Sequence, residues 1–224
     1  MKKIVSIIVL VVMATGGLFA QNFFFPSKKG TSLVYANLDA KGKVVSHLLQ
    51  TIKDVKASGN NYTIHCVSQG LDKNRNPLSD PPTEMPLIVN VSNGVVEWDM
   101  KSFAVGTEGA IEIEGDKLQM PSTLKIGDKL KDVAFSMTIN VGIQIRTEIS
   151  LTDMECVGVE EVTVPAGTFK CHKVTQTINT TAMRRTLTTK TLTWYAPGIG
   201  TVKSETYDAK GSLTAKMELV AMEG

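Results

Sequence analysis

The stretch from residue 133 to residue 151 constrains the fold more than any other part of the chain. Its odd positions are apolar except for Thr147, whereas its even positions are polar or small. The apolar residues are Val133, Phe135, Met137, Ile139, Val141, Ile143, Ile145, Ile149 and Leu151. Because successive side chains of a β-strand point to opposite faces, this period of two predicts a sheet with one apolar face and one wet face.

Asn140-Val141-Gly142 is expected to divide this stretch into two strands. One strand over the whole stretch would be about twice the usual maximum of roughly ten residues. A three-residue hairpin loop with glycine last would pair Ile139 with Ile143 and Met137 with Ile145. Both arms would then keep their apolar side chains on the same face.

The first twenty residues have the pattern of a signal peptide. Two lysines precede an apolar run, Ile4–Val12, that is too short to span a bilayer comfortably. A small-residue cleavage site lies between Ala20 and Gln21. Residues 1–20 are therefore predicted to be removed on export, which leaves residues 21–224 as a single β domain with no membrane span. The mature protein is expected in the periplasm or outside the cell.

The rest of the chain has the same β character. Ser92-Asn93-Gly94 and Pro165-Ala166-Gly167 are typical of hairpin turns. The segment Lys43–Lys56 fits either an amphipathic helix or a long strand, and its β-rich surroundings favour the strand. Phe23-Phe24-Phe25 is interpreted as a core plug. The predicted fold is all-β: a single antiparallel meander that forms a strongly curved sheet, a half-barrel or a sandwich, with little or no helix outside the signal peptide.

The charge balance offers no electrostatic footprint for nucleic acid. The full chain has 24 Lys and Arg against 22 Asp and Glu. Without the two lysines of the signal peptide, 22 basic residues face 22 acidic ones. A nucleic-acid binder needs clustered positive charge, so this class of partner is not expected.

The three cysteines leave a possible disulfide between Cys156 and Cys171. Export permits disulfides, and an odd count leaves at least one thiol over, with Cys66 as the third. If Val164 faces Thr168 across the Pro-Ala-Gly turn, the two sulfurs are offset by about five residues, or roughly 16 Å, on opposite faces. A disulfide needs Cα atoms within about 7 Å, so this pair would require the chain to fold back.

The sequence shows no catalytic or metal-binding constellation. It has no Gly-x-Ser-x-Gly nucleophile elbow and only three histidines. His65-Cys66 and Cys171-His172 carry ligand types that suit zinc. However, neighbouring side chains of a strand point to opposite faces, so neither dipeptide easily places both groups on one ion. The chain is therefore predicted to be non-enzymatic, with no metal site and no cofactor.

Binding of an apolar molecule is the remaining chemical hypothesis. A one-sided sheet without covering helices either packs on a second sheet or curves around a cavity, and the sequence leaves both open. If it curves, its lining would be Met137, Ile139, Ile143, Ile145 and Ile149, which suit a lipid-like ligand. If the core is solid, the protein would instead act as an envelope scaffold that binds another envelope protein.

Several motifs occur in an order that resembles a known family. They are Phe24-Phe25-Pro26, Gly30 with Tyr35, Asp39-x-Lys41-Gly42, Leu124-x-Ile126-Gly127-Asp128, Val164-Pro165-Ala166-Gly167-Thr168-Phe169 and Trp194-Tyr195-Ala196-Pro197-Gly198-Ile199-Gly200. Together they resemble the uncharacterised secreted β-protein family near domain of unknown function 3108, over nearly the whole mature chain. The resemblance implies an exported, curved antiparallel sheet in the envelope of a bacterium with two membranes.

The same resemblance implies no established activity, so no catalytic residue is carried over. The family is distantly similar to periplasmic lipoprotein-carrier folds, which add helices as a lid. In this sequence only Lys43–Lys56 offers a segment for such a lid.

Overall fold

The described part of the chain is built almost entirely of β-strands. The computed structural model describes residues 23–80, 82–105, 107, 109–140 and 142–224. The predicted signal peptide lies outside these residues. Within them there are 13 strands and one short 3₁₀ helix, Met100–Ala104.

The strands have the following bounds. They are β1 Ser32–Asp39, β2 Val44–Ser58, β3 Asn61–Leu71, β4 Glu84–Ser92, β5 Val95–Asp99, β6 Ile111–Gly115, β7 Leu118–Pro121, β8 Val133–Asn140, β9 Gln144–Val164, β10 Gly167–Ala182, β11 Arg185–Ala196, β12 Gly200–Asp208 and β13 Leu213–Glu223.

All 13 strands belong to one sheet, and the pairs between neighbours are antiparallel. The order across the sheet is β6-β8-β9-β10-β11-β12-β13-β1-β2-β3-β4-β5-β7. The predicted all-β antiparallel fold is therefore confirmed. It departs from a simple meander in two ways, because β1 pairs with β13 and because β6 and β7 sit at opposite ends of the order.

The link between β6 and β7 rolls the sheet up. Only Asp116 and Lys117 separate β6 from β7, although these strands are the two ends of a 13-stranded sheet. Three Cα–Cα steps span at most about 11 Å, so the two ends of the sheet must lie close together. The strongly curved form among the predicted alternatives is the one observed, and the roll remains open because β6 and β7 do not pair.

We call the place where the two ends of the sheet come together, at Asp116 and Lys117, the seam. Contacts of these two residues hold it in place. The backbone N–H of Asp116 donates to the carbonyl oxygen of Ala134 at 2.8 Å, and the Asp116 carboxylate accepts from the backbone N–H of Ala134 at 3.0 Å. On the other side, the Lys117 ammonium lies 2.8 Å from the carboxylate of Glu97 on β5. The seam is thus tied to both β8 and β5.

The β8–β9 hairpin exists, but its predicted register was wrong. Asn140 pairs with Gln144 and Ile139 pairs with Ile145, so the loop starts one residue later than expected. Gly142 takes φ +82° within the loop rather than closing it. Because the pairing moves by two residues, odd-numbered residues still pair with odd-numbered residues, and the apolar residues still share one face. However, Ile143 moves from the strand into the loop.

The Pro-Ala-Gly hairpin also has a different register from the predicted one. Val164 pairs with Gly167, not with Thr168, because the turn contains only Pro165 and Ala166. Gly167 takes φ +140° and becomes the first residue of β10. A glycine is needed here because residues with a Cβ rarely adopt such a conformation.

Two other sequence predictions are confirmed. The ambiguous segment Lys43–Lys56 is strand, since β2 runs from Val44 to Ser58. Asn93-Gly94 forms the two-residue turn between β4 and β5, with φ of +50° and +75°. Positive φ at both positions is the type I′ geometry that Asn-Gly favours.

The core consists of four packed clusters of buried side chains. Phe23 and Phe25 pack with residues of β2 to β5, whereas Phe24 packs with Met120, Leu124 and residues of β9 and β10. All three phenylalanine side chains are buried. The predicted core plug is therefore confirmed, and it joins the two halves of the sheet.

We expect Gly115, at the seam between β6 and β7, to be the glycine most sensitive to substitution. A Cβ on Gly115 would lie 2.5 Å from the carbonyl oxygen of Ala134, and its φ is +121°. Gly115→Ala should therefore lower the free energy of unfolding by about 3 kcal/mol or more, as the sum of backbone strain and overpacking. Urea titration measures this loss.

Gly42→Ala is the matched control. Gly42 has φ +81°, but a Cβ there would have no atom within 4 Å. This variant should lower the free energy of unfolding by only about 1–2 kcal/mol, from backbone strain alone. Equal losses for the two variants would contradict the proposed role of the seam.

Candidate functional site

Two adjoining chambers lie inside the rolled sheet. One has a volume of about 180 Å³ and the other of about 150 Å³. Both are lined by Trp98 of β5, Tyr195 of β11 and Thr201 of β12. Since the same three side chains border both spaces, we treat them as one site, the inner chambers.

The walls of the inner chambers are mainly apolar, with a few amides. Three flexible methionines contribute, namely Met120 and Met154 in the larger chamber and Met217 in the smaller one. Polar side chains at the walls are Gln50, Gln119 and Gln176, with Tyr35 beside the smaller chamber. Apolar walls with a few polar groups are typical of sites for small organic ligands.

The N-terminal phenylalanines border the smaller chamber. The ring of Phe24 lies 6.2 Å from that of Tyr195, and the ring of Phe25 lies 6.5 Å from that of Trp98. The carbonyl oxygen of Phe23 accepts a hydrogen bond from the backbone N–H of Gly198 at 2.7 Å. This segment therefore forms part of the wall.

Gly200 makes room for this segment. Its φ is +93°, and a Cβ there would lie 3.2 Å from the carbonyl oxygen of Phe24. The last glycine of the Trp194–Gly200 motif is thus explained by close approach of the N-terminal backbone.

His172 lies behind Phe24 at the edge of this region. The two rings form an edge contact at 5.1 Å. The Nδ1 atom of His172 is buried and has no hydrogen-bond partner among the described residues. Burial, with a smaller contribution from Lys170, lowers the pKa of His172 below its usual value.

Trp194 points away from the chambers, although Tyr195 points into them. Its indole N–H donates to the carboxylate of Glu160 at 2.6 Å, which is the main cause of the lowered pKa of Glu160. The ammonium groups of Lys173 and Lys203 lie 4.9 Å and 4.7 Å from the Trp194 ring. Neighbouring residues of one strand thus anchor both faces of the sheet.

A larger and more polar cleft opens at the β6–β8 end of the sheet. Its volume is about 520 Å³, and its lining includes Glu114, Ser136, Arg146, Glu148 and Asn179. The Arg146 guanidinium lies 3.7 Å from the Glu148 carboxylate. This lining carries both signs of charge, whereas the side chains that line the inner chambers are uncharged.

The structure does not bring the five predicted ligand residues together at the inner chambers. Met137, Ile139 and Ile145 are half-buried near the end of the β8–β9 hairpin. Ile149 packs against the Val133 cluster and borders the polar cleft. Ile143 lies in the hairpin loop and is exposed, because of the corrected register.

The cysteines are all buried and free. Cys156 pairs across the hairpin with Val174, whereas Cys171 pairs with Glu160, and the two thiols belong to different clusters. The possible Cys156–Cys171 disulfide is therefore not formed in this structure. Burial raises the pKa of Cys171 to about 11 and that of Cys66 to about 12.

The residues of the inner chambers could not be found from sequence spacing. Tyr195 and Thr201 are cross-strand partners on β11 and β12, but Trp98 on β5 meets them only because the sheet rolls. The one available signal was the Trp-Tyr pair in the Trp194–Gly200 motif.

Two further observations bear on the class of site. Among the residues with described positions, no group of three or more His, Cys, Asp or Glu is arranged to hold a metal ion. In the same part of the chain, no helix has the length and hydropathy needed to cross a membrane.

Comparison with known proteins gives a family and a fold. The sequence profile of the DUF3108-like family matches residues 28–219. A protein from Bacteroides fragilis, described as exported and of YmcC-like fold, has 25% identity and a TM-score of 0.74, covering 90% of this chain and 99% of its own. A protein from Parabacteroides distasonis, described as a lipoprotein, has 22% identity and a TM-score of 0.76, covering 90% and 98%. No curated protein sequence matches the chain.

We expect the burial of His172 to make stability depend on pH. The folded-state pKa of His172 is lowered, so the folded protein binds fewer protons than the unfolded chain as the pH falls through the usual histidine value of about 6.5. Stability should therefore decrease between pH 7.5 and pH 5. The change in Tm over this range should be smaller in His172→Gln, which cannot titrate.

His65→Gln, on β3, is the control for this experiment and should keep the wild-type loss of Tm. An unchanged pH dependence in His172→Gln would mean that other groups cause the loss.

Proposed function

The chain belongs to the DUF3108-like family, and from this premise we propose that it is an exported, non-enzymatic protein of the bacterial envelope that binds a slim apolar molecule in its inner chambers. The location is supported by its neighbours, since one is described as exported and the other as a lipoprotein. The periplasm is the compartment that fits this description and the predicted signal peptide best.

The observation that carries the proposal is the shared border of the two chambers. Trp98, Tyr195 and Thr201 line both spaces, so a modest movement of these side chains would join them. Each chamber is smaller than the roughly 300–1,000 Å³ of drug-sized ligand sites. The occupant must therefore be slim, such as a single acyl chain, and not a whole two-chain lipid.

The methionines give the site room to adapt. Met120, Met154 and Met217 have three rotatable side-chain bonds each and a polarisable sulfur. Such side chains adjust to ligands of different shape more readily than β-branched residues do. This property suits a carrier of related apolar molecules better than a rigid catalytic pocket.

The placement of the nucleophiles and bases supports a non-catalytic role. The imidazoles of His47, His65 and His172 lie on three different strands, β2, β3 and β10, and the Nδ1 atom of His47 lies 3.0 Å from the backbone carbonyl oxygen of Asp72. The thiols of Cys66 and Cys171 are buried with raised pKa values, so the reactive thiolate form is disfavoured.

An envelope scaffold with a solid core is the second candidate function. It is favoured by the small size of the inner chambers and by the aromatic plug, which already fills much of the interior. In that case the polar cleft of about 520 Å³ would be the binding surface, and its partner would be another envelope protein.

We expect a small apolar molecule to co-purify with the mature protein from its own envelope. Native mass spectrometry of the wild type should show a bound mass that is lost on denaturation. Thr201→Met, which adds volume where the two chambers meet, should reduce the bound fraction about tenfold, because overfilling removes the ligand's space.

Thr163→Met is the matched control, since Thr163 is exposed and lines neither chamber. It should bind as the wild type does. A wild-type protein that carries no small molecule but retains a protein partner would support the scaffold instead.

A further inference from the structure

The β10–β11 hairpin ends in an exposed tip that the core does not explain. Ala182 pairs with Arg185, so the turn consists of Met183 and Arg184. The side chain of Met183 is 73% exposed, and that of Leu187 is 64% exposed. Two large apolar side chains therefore flank two arginines on a projecting hairpin.

The conformation of this turn is unusual for its residues. Met183 has φ +48° and Arg184 has φ +63°, which is the type I′ geometry. Side chains with a Cβ disfavour this region, and the same chain uses Asn93-Gly94 for the same geometry elsewhere. Turn formation alone thus gives no reason for Met183 and Arg184.

The neighbouring β8–β9 hairpin has its loop at the same end of the strands as the β10–β11 turn. Thr147 of β9 pairs with Ala182 of β10, so the β8–β9 loop projects beyond the β10–β11 turn. Ile143 in that loop is 64% exposed. The half-buried pair Ile139 and Ile145 lies directly behind it.

The charges beside these apolar residues are predominantly positive. Arg184 and Arg185 are exposed and form no salt bridge among the described residues. Arg146 is also exposed, although Glu148 at 3.7 Å partly offsets its charge. We call the set Ile143, Met183, Arg184, Arg185 and Leu187 the tip surface.

We propose that the tip surface docks on an anionic lipid membrane. Apolar side chains at an interface enter the boundary between headgroups and acyl chains, while arginines remain with the lipid phosphates. The complementary charge of an anionic leaflet favours this occupant. A protein partner fits less well, because two narrow hairpin ends do not offer the roughly 800 Å² of a standard interface. The inference goes beyond the proposed function and does not depend on the inner chambers.

Vesicle co-sedimentation of the mature protein tests the docking. The wild type should bind vesicles of equal parts phosphatidylglycerol and phosphatidylcholine about tenfold more tightly than vesicles of phosphatidylcholine alone, at about 0.15 M salt. Equal binding to the two kinds of vesicle, or binding to neither, would overturn the proposal.

A variant of the turn separates docking from folding. Met183→Asn combined with Arg184→Gly places the residues that type I′ turns favour, so its Tm should rise by about 2–4 °C. The same variant should bind the anionic vesicles about fivefold more weakly or worse, because it loses one arginine and the exposed methionine. Wild-type affinity in this more stable variant would contradict the docking role.

Lys125→Gln combined with Ile126→Asn is the matched control. These residues are also exposed and also pair a cation with an aliphatic side chain, but they lie outside the tip surface. The control should bind vesicles as the wild type does, and an equal loss would overturn the assignment to the tip. A wild-type protein that does not bind vesicles but retains an envelope protein through Met183 would also overturn the proposal of membrane docking.

Discussion

The covalent link of two residues between the ends of the sheet is the constraint on which the rest of the structure depends. A 13-stranded antiparallel sheet could twist and remain open, with its ends far apart. Here Asp116 and Lys117 connect β6 to β7, so the ends are forced together and the sheet must roll. The roll turns one face of the sheet inward, and the packing of Leu118 with the Val133 cluster across the seam follows from it.

Rolling creates an interior that the strands alone do not fill. The N-terminal phenylalanines enter this space, and Phe24 contacts Tyr195 and His172 while Phe25 contacts Trp98. The space left over is the pair of inner chambers. The same Tyr195 that borders them follows Trp194, which Glu160 and two lysines hold on the other face. The Trp-Tyr pair therefore anchors β11 beside the inner chambers.

Local sequence signals predicted many of the strands and turns, but they did not predict which distant strands pair. The Asn93-Gly94 turn and the strand over Lys43–Lys56 follow from turn chemistry and β-rich surroundings, and both are present. The two hairpin registers were wrong because a short loop can close at more than one position. The β8–β9 loop closes one residue later, which moves the pairing by two residues and keeps the parity of the apolar face. The turn of Pro165 and Ala166 is one residue shorter than expected, which moves the pairing by one residue and changes which side chains share a face. The inner chambers could not be predicted, since Trp98 and Thr201 meet only through pairings between strands far apart in sequence.

The corrected register of the β8–β9 hairpin changes what its apolar face is for. Near the seam, Phe135 and Ile149 are paired and pack on the core. Further out, Ile139 and Ile145 are paired but only half-buried, and the loop carries Ile143 into solvent. Apolar side chains that continue beyond the packed core are exposed to water, which is unfavourable in free energy unless something else covers them. One alternating stretch thus closes the interior at one end and presents apolar side chains at the other, so binding inside the roll and docking at its tip can be separate properties of a single sheet.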